Sequence, residues 1–186
     1  LKVVQWLYDH GAPQDTTRAN NKGFTPMYVA CENNHLEIAQ WLYDHGASQD
    51  TTRVNKRGFT PMYNACEKNH LEIAQWLYDH GASQDTTRAS NEGYFPMYYA
   101  CENNHLKVVQ WLYDHEASQD LIRVCSSNIK LHNGKTPLYF ACQNKDMDLF
   151  KWICSKINWT ELSNPSYRRI RAQIKARCVV RRSHAK

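Results

Sequence analysis

The chain has 186 residues, 42% of them hydrophobic and 22% charged, with a formal net charge of +5. This is the balance of a globular chain with enough apolar surface for a core, and no apolar run approaches the ~20 residues that a membrane-spanning helix needs. The charge is unevenly placed. Residues 165–186 hold eight Lys or Arg and no acid, which leaves 15 basic against 18 acidic residues in 1–164, a net of −3.

The stretch WLYDHGA occurs at Trp6, Trp41 and Trp76, and again at Trp111 with Glu116 in place of the glycine; a further tryptophan, Trp152, follows after 41 residues instead of 35. A fixed period of this size marks a repeat array, in which each unit is stabilised by its neighbours. Residues 1–22 match the rear two thirds of a unit, so the sequence opens in mid-unit. Full units then run 23–57, 58–92, 93–133 and 134–164.

Within the unit 23–57, Thr25 followed by Pro26 predicts a helix start, because the hydroxyl caps free amides and proline at the first position loses no needed hydrogen bond. That helix is expected to end near Asn33. Asn34 suits a left-handed stop, a second helix follows from Leu36, and Gly46 ends it. The polar stretch from Ser48 to Arg57 is expected to be extended and hairpin-like. Helices this short are marginal alone, and the second is apolar around most of its circumference (Leu36, Ile38, Ala39, Trp41, Leu42, Tyr43), so a stack of like units is predicted.

With Thr25, Pro26, Met27, Tyr28 and Ala30, then Asn34 and His35, then Leu42, Tyr43, Gly46 and Ala47, the unit resembles the ankyrin repeat family, in phased copies from Gly23, Gly58, Gly93 and Gly134. The resemblance implies an all-α ankyrin-type solenoid that binds other proteins, with first helices and loop tips on its concave side. It also exposes departures. Tyr28, Tyr63, Tyr98 and Tyr139 stand where the family has histidine, so that residue's hydrogen bond to the threonine hydroxyl is replaced or lost.

Seven cysteines raise metal and disulfide chemistry. Cys31, Cys66, Cys101 and Cys142 share one position of the unit, in layers that the resemblance places about 10 Å apart, beyond the ~7 Å limit for a disulfide. Cys125, Cys154 and Cys178 lack zinc spacing. The chain is therefore expected to carry no metal or cofactor and to have reduced thiols suited to the cytoplasm or nucleus, with the sequon at Asn158 a chance match. Seven phased histidines form ladders, whereas catalysis needs a unique convergent cluster, and neither an HExxH nor a GxSxG motif nor a phosphate-binding glycine loop is present. The expected protein is a non-catalytic, monomeric scaffold.

Units 23–57 and 58–92 differ at six of 35 positions: Val29/Asn64, Asn33/Lys68, Val54/Ala89, Asn55/Ser90, Lys56/Asn91 and Arg57/Glu92. All lie on the first helix or in the loop. Either exposed positions drift or this side recognises a partner. The candidate surface comprises Asn21, Lys22, Phe24, Val29, Asn33, Lys56, Arg57, Phe59, Asn64, Lys68, Asn91, Glu92, Tyr94 and Tyr99. Phe24, Phe59 and Tyr94, followed by Lys135, form a ladder that reads either as exposed interface anchors or as rings packed between units. Mixed loop charge favours a protein partner over nucleic acid.

The third unit has Phe95 for the capping threonine, and six extra residues enter before Gly134, which predicts a mobile finger at 121–133 and the weakest layer boundary. The tail reads in two ways. Tyr167, Ile170, Ile174 and Cys178 at helical spacing suggest a capping half-unit, although Arg169 falls where a buried alanine belongs. Arg168, Arg169, Arg171, Lys175, Arg177, Arg181 and Arg182 alternatively form a basic arm for nucleic acid or an anionic membrane. A further alternative makes the whole array an accessory segment of a larger protein.

Overall fold

The computed structural model describes residues 1–123, 135–144 and 147–157, with Arg168, Arg171 and Ala172. Residues 124–133 of the expected finger and most of the tail, Arg169, Lys175, Arg177, Arg181 and Arg182 included, lie outside the described residues, whereas Leu121 closes a 3-10 turn and is buried.

Among the described residues the chain forms helices and turns only, each unit supplying two antiparallel helices. The first helices are α2 (Pro26–Glu32), α4 (Pro61–Glu67), α6 (Pro96–Glu102) and α8 (Pro137–Gln143). The second helices are α1 (Lys2–Asp9), α3 (Leu36–Leu42), α5 (Leu71–Leu77), α7 (Leu106–Leu112) and α9 (Asp148–Lys156). First helices pack on first helices of adjacent units and on the second helix of their own unit. The shared core runs through the stack from Met27 and Leu42 to Leu138 and Leu149, all almost fully buried.

Local chemistry sets each boundary. The Thr25 Oγ1 accepts from the Tyr28 amide at 3.1 Å, Thr60 does so from Tyr63 at 3.1 Å and Thr136 from Tyr139 at 3.2 Å. Phe95 makes no such cap; it is fully buried, with the Arg123 guanidinium 4.6 Å from its ring centre, so apolar packing takes the cap's place. Asn34, Asn69 and Asn104 stop the first helices at φ of 60°, 66° and 62°. The second helix loosens over Tyr43–Ala47 and ends at Gly46, where φ is 96°. Glu116 takes the same left-handed place at φ 71°, a strain on the order of 1 kcal/mol for a residue with a Cβ.

The WLYDHGA stretch is a cross-unit joint as well as a stop. The His45 ring stacks on Trp41 at 4.0 Å, its Nδ1 donates to the Trp41 carbonyl at 2.7 Å, and Tyr8 of the preceding unit stands edge-on to both rings at 5.2 Å. Tyr43 meets Trp76 and His80 in the same way, and Tyr78 meets Trp111 and His115.

The stretch after Ala47 is not extended from its start, as the sequence suggested. Ser48–Thr51 forms a 3-10 turn before the chain straightens. The turn places Asp50 for its Oδ1 to accept from Arg53 at 3.3 Å, while the same arginine Nη1 donates back to the Thr17 carbonyl of the preceding unit at 3.0 Å. Asp85, Arg88 and Thr52 repeat this link, as do Asp120, Arg123 and Thr87. The three aspartates are buried, and the second carboxylate oxygen of each makes no hydrogen bond.

Burial therefore raises the pKa of Asp50 and Asp85, and that of Asp120 to about 6, against the lowering effect of their arginines. A carboxyl whose folded pKa exceeds its unfolded value binds more protons when folded, so it adds stability below the folded pKa and loses it as pH rises through that value. Over pH 7.5 to 5 this gain opposes the loss from His105, whose burial lowers its pKa, so the triple variant Asp50→Asn, Asp85→Asn, Asp120→Asn is expected to gain less in urea midpoint, or lose more, than the parent as pH falls across that range. An unchanged slope in the variant would assign the pH dependence elsewhere.

Candidate protein-interaction surface

The first helices and the loops that precede them lie on one side of each unit. Loop geometry comes from one asparagine: Asn55 Oδ1 accepts from the Arg57 and Phe59 amides at 2.9 and 3.1 Å, and Asn20 does the same for Lys22 and Phe24 at 2.9 and 3.0 Å. Ser90 substitutes with longer bonds to Glu92 and Tyr94, 3.3 and 3.2 Å. Neighbouring loops are joined by backbone bonds, Lys56 N to the Lys22 carbonyl at 3.1 Å and Asn91 N to the Arg57 carbonyl at 3.0 Å. Gly58 is required there, because a Cβ would stand 2.7 Å from the Asn91 nitrogen and φ is 80°.

Tyr28 resolves the departure noted in the sequence. Its amide takes the threonine cap, and its hydroxyl accepts from Asn55 Nδ2 at 2.9 Å. One buried asparagine thus ties α2 to the first residues of the next unit. Burial pushes the Tyr28 hydroxyl pKa up to about 12, so it stays protonated at neutral pH.

The aromatic ladder requires a correction. Phe59 is 7% exposed and Tyr94 1%, so neither is available as an interface anchor; only Phe24 is partly open. The reason is local stacking. Phe59 lies on Tyr63 at 4.3 Å under the Arg57 guanidinium at 4.8 Å, and Phe24 lies on Tyr28 at 4.8 Å. In the fourth unit Lys135 sets its ammonium 5.0 Å from the Tyr139 ring. Asn64 is likewise interior, 3% exposed.

The remaining residues are accessible. Asn21, Lys22, Val29, Asn33, Lys56, Arg57, Lys68 and Asn91 are exposed, and Glu92 and Tyr99 are partly so. Arg57 and Glu92 engage each other through two bonds of 2.8 and 3.0 Å, which holds the Glu92 carboxyl below its usual range. Asn91 Nδ2 is spent on the Lys56 carbonyl at 3.1 Å, and Asn33 Nδ2 on that of Val29 at 2.8 Å. The half-buried Glu32, Glu67 and Glu102 add an acidic row at the first-helix ends, and burial raises the pKa of Glu67. A comparison of units 23–57 and 58–92 could not find them, because Glu32 and Glu67 are identical there; the fourth unit has Gln143 in this place. Of the basic tail, Arg168 is exposed and Arg171 partly buried.

This side offers hydrogen-bonding tips, a short apolar patch and charges of both signs, which suits recognition of a protein surface. Burial pushes the Cys31 thiol to about 12 and those of Cys66 and Cys101 higher still, so these sulfurs remain protonated. Among the described residues no cluster of His, Cys, Asp and Glu is placed to hold a metal ion, and no helix is long and apolar enough to cross a membrane.

Because Phe59 is a core ring, Phe59→Ala is expected to cost about 3–5 kcal/mol of stability, while Val29→Ala stays within about 0.5 kcal/mol. Urea unfolding of the two variants checks this; equal, small losses would return Phe59 to the surface.

Family models built on ankyrin repeats match nearly the whole array. One described as ankyrin repeats in three copies covers residues 1–53 and 48–123, and one described as ankyrin repeats in many copies covers residues 97–153. No curated protein matches the chain.

Proposed function

The chain belongs to the ankyrin repeat family, whose repeats are in general protein-interaction modules, and from that premise we propose that it is a non-catalytic scaffold that grips a protein partner through its first helices and loop tips. The resemblance assigns the concave side to these first helices and loop tips. The supporting observation is where two otherwise identical units differ. Val29, Asn33, Lys56 and Arg57 change to Asn64, Lys68, Asn91 and Glu92, whereas the second helices are identical. Between these two units the equally exposed Glu37, Gln40 and Asp44 recur unchanged as Glu72, Gln75 and Asp79, which supports recognition over drift on the first-helix side.

The accessible contact set is then Val29, Asn33, Lys68 and Tyr99, flanked by Asn21, Lys22, Lys56 and Asn91. Arg57 and Glu92 brace neighbouring loops and contribute less, since exposed ion pairs are worth about 0–1 kcal/mol.

The test compares partner capture by the full chain with that by two folded variants. Val29→Asp with Lys68→Glu is expected to lower affinity at least about tenfold, the scale of one or two hot-spot contacts. Glu37→Lys with Glu72→Lys, on the second helices, is expected to leave it unchanged. The reverse pattern would place recognition on the second-helix side.

A further inference from the structure

Arg53, Arg88 and Arg123 use only part of their hydrogen-bonding capacity within the stack. In each, Nη1 alone makes both bonds, to the aspartate of its own turn and to the threonine carbonyl of the unit before. The Nε and Nη2 hydrogens have no acceptor among the described residues, and the three side chains are 48%, 46% and 40% exposed. Each guanidinium is therefore held from behind by a buried carboxylate and turns its other edge to solvent. Arg123 is fixed further by the Phe95 ring, whose centre lies 4.6 Å from its Cζ.

The Nε and Nη2 edge is a fork that pairs bidentately with a carboxylate, and a guanidinium already immobilised loses little further freedom on binding. The forks stand one layer apart. Packed helices are separated by about 8–10 Å, so equivalent arginines repeat at about that distance. An extended segment of polyproline type advances about 9 Å in three residues, which brings a carboxylate at every third position to successive forks. A nucleic-acid backbone fits worse. It carries a charge about every 3.4 Å of strand, whereas the buried Asp50, Asp85 and Asp120 beside these arginines offset much of the positive charge of the row.

We propose that Arg53, Arg88 and Arg123 form a docking row for an extended acidic segment of a partner protein, taken up at one carboxylate per layer. The row follows the turns after the second helices, whereas Val29, Asn33, Lys68 and Tyr99 belong to the first helices or their ends. It is a second site and does not depend on that surface.

The experiment titrates the isotope-labelled full chain with a synthetic peptide of about twelve residues that has glutamate at every third position and proline and serine between, the polyproline-type spacing. The arginine Nε–H resonances of Arg53, Arg88 and Arg123 are expected to shift together and to saturate. A peptide of the same composition with its glutamates in one block is expected to bind at least about tenfold more weakly, because it cannot engage successive layers at once. The triple variant Arg53→Lys, Arg88→Lys, Arg123→Lys keeps the charge and a donor for the cross-unit bonds but lacks the fork, and is expected to lose about fivefold or more in affinity. Its urea midpoint is measured alongside; if the variant is unstable, the titrations of the unmodified chain decide. Resonances that the spaced peptide leaves in place, or equal binding of the spaced and blocked peptides, would overturn the proposal. So would an oligothymidylate of equal length that moves the same resonances at lower concentration, which would make the row a phosphate site.

Discussion

Seven-residue helices are too short to persist by themselves, so every layer of this array is held by the layer beside it. That constraint explains why the cross-unit links are so regular. Tyr8, Tyr43 and Tyr78 each reach the next unit's tryptophan and histidine. Arg53, Arg88 and Arg123 each reach a threonine carbonyl of the unit before. On the opposite side, Asn55 bonds both to Tyr28 and to the backbone that starts the next unit. The second helix, the stop and the turn carry the first two links, and between units 23–57 and 58–92 they recur without change.

The division of labour has a consequence for recognition. The tyrosine and arginine positions that carry the first two links recur from unit to unit, whereas the Asn55 link gives way to Ser90 in the next unit. Val29, Asn33, Lys56 and Lys68 touch solvent on the loop and first-helix side, where a substitution leaves the stack intact. A scaffold built in this way can vary its surface without re-solving its fold. Asn64 is an exception, buried where its counterpart Val29 is open.

Much of the fold was legible in the sequence because its determinants are local. Thr25 with Pro26, Asn34 and Gly46 act through their own backbone geometry, and each does in the structure what its chemistry implies. The phase of the aromatic ladder was legible too, but not its burial: whether Phe59 faces solvent depends on Tyr63 beneath it and Arg57 above it. The aspartate ladder was missed, although the signal was present as an aspartate and an arginine three residues apart at Asp15, Asp50, Asp85 and Asp120. Reading Ser48 to Arg57 as uniformly extended put those two side chains out of reach of each other, and the 3-10 turn at Ser48–Thr51 brings them together.

The central claim is that the array is held by specific buried contacts, such as those tying each first helix to the loop that leads into the next unit, and not by apolar area alone. A double-mutant cycle on Tyr28→Phe and Asn55→Ala tests it most directly, because it isolates the one hydrogen bond that joins α2 to the following loop. Urea unfolding of the four proteins is expected to give a coupling energy of about 1 kcal/mol, the usual worth of a buried neutral hydrogen bond. Losses that add to within about 0.3 kcal/mol would contradict the account and leave the stack held by burial without that link.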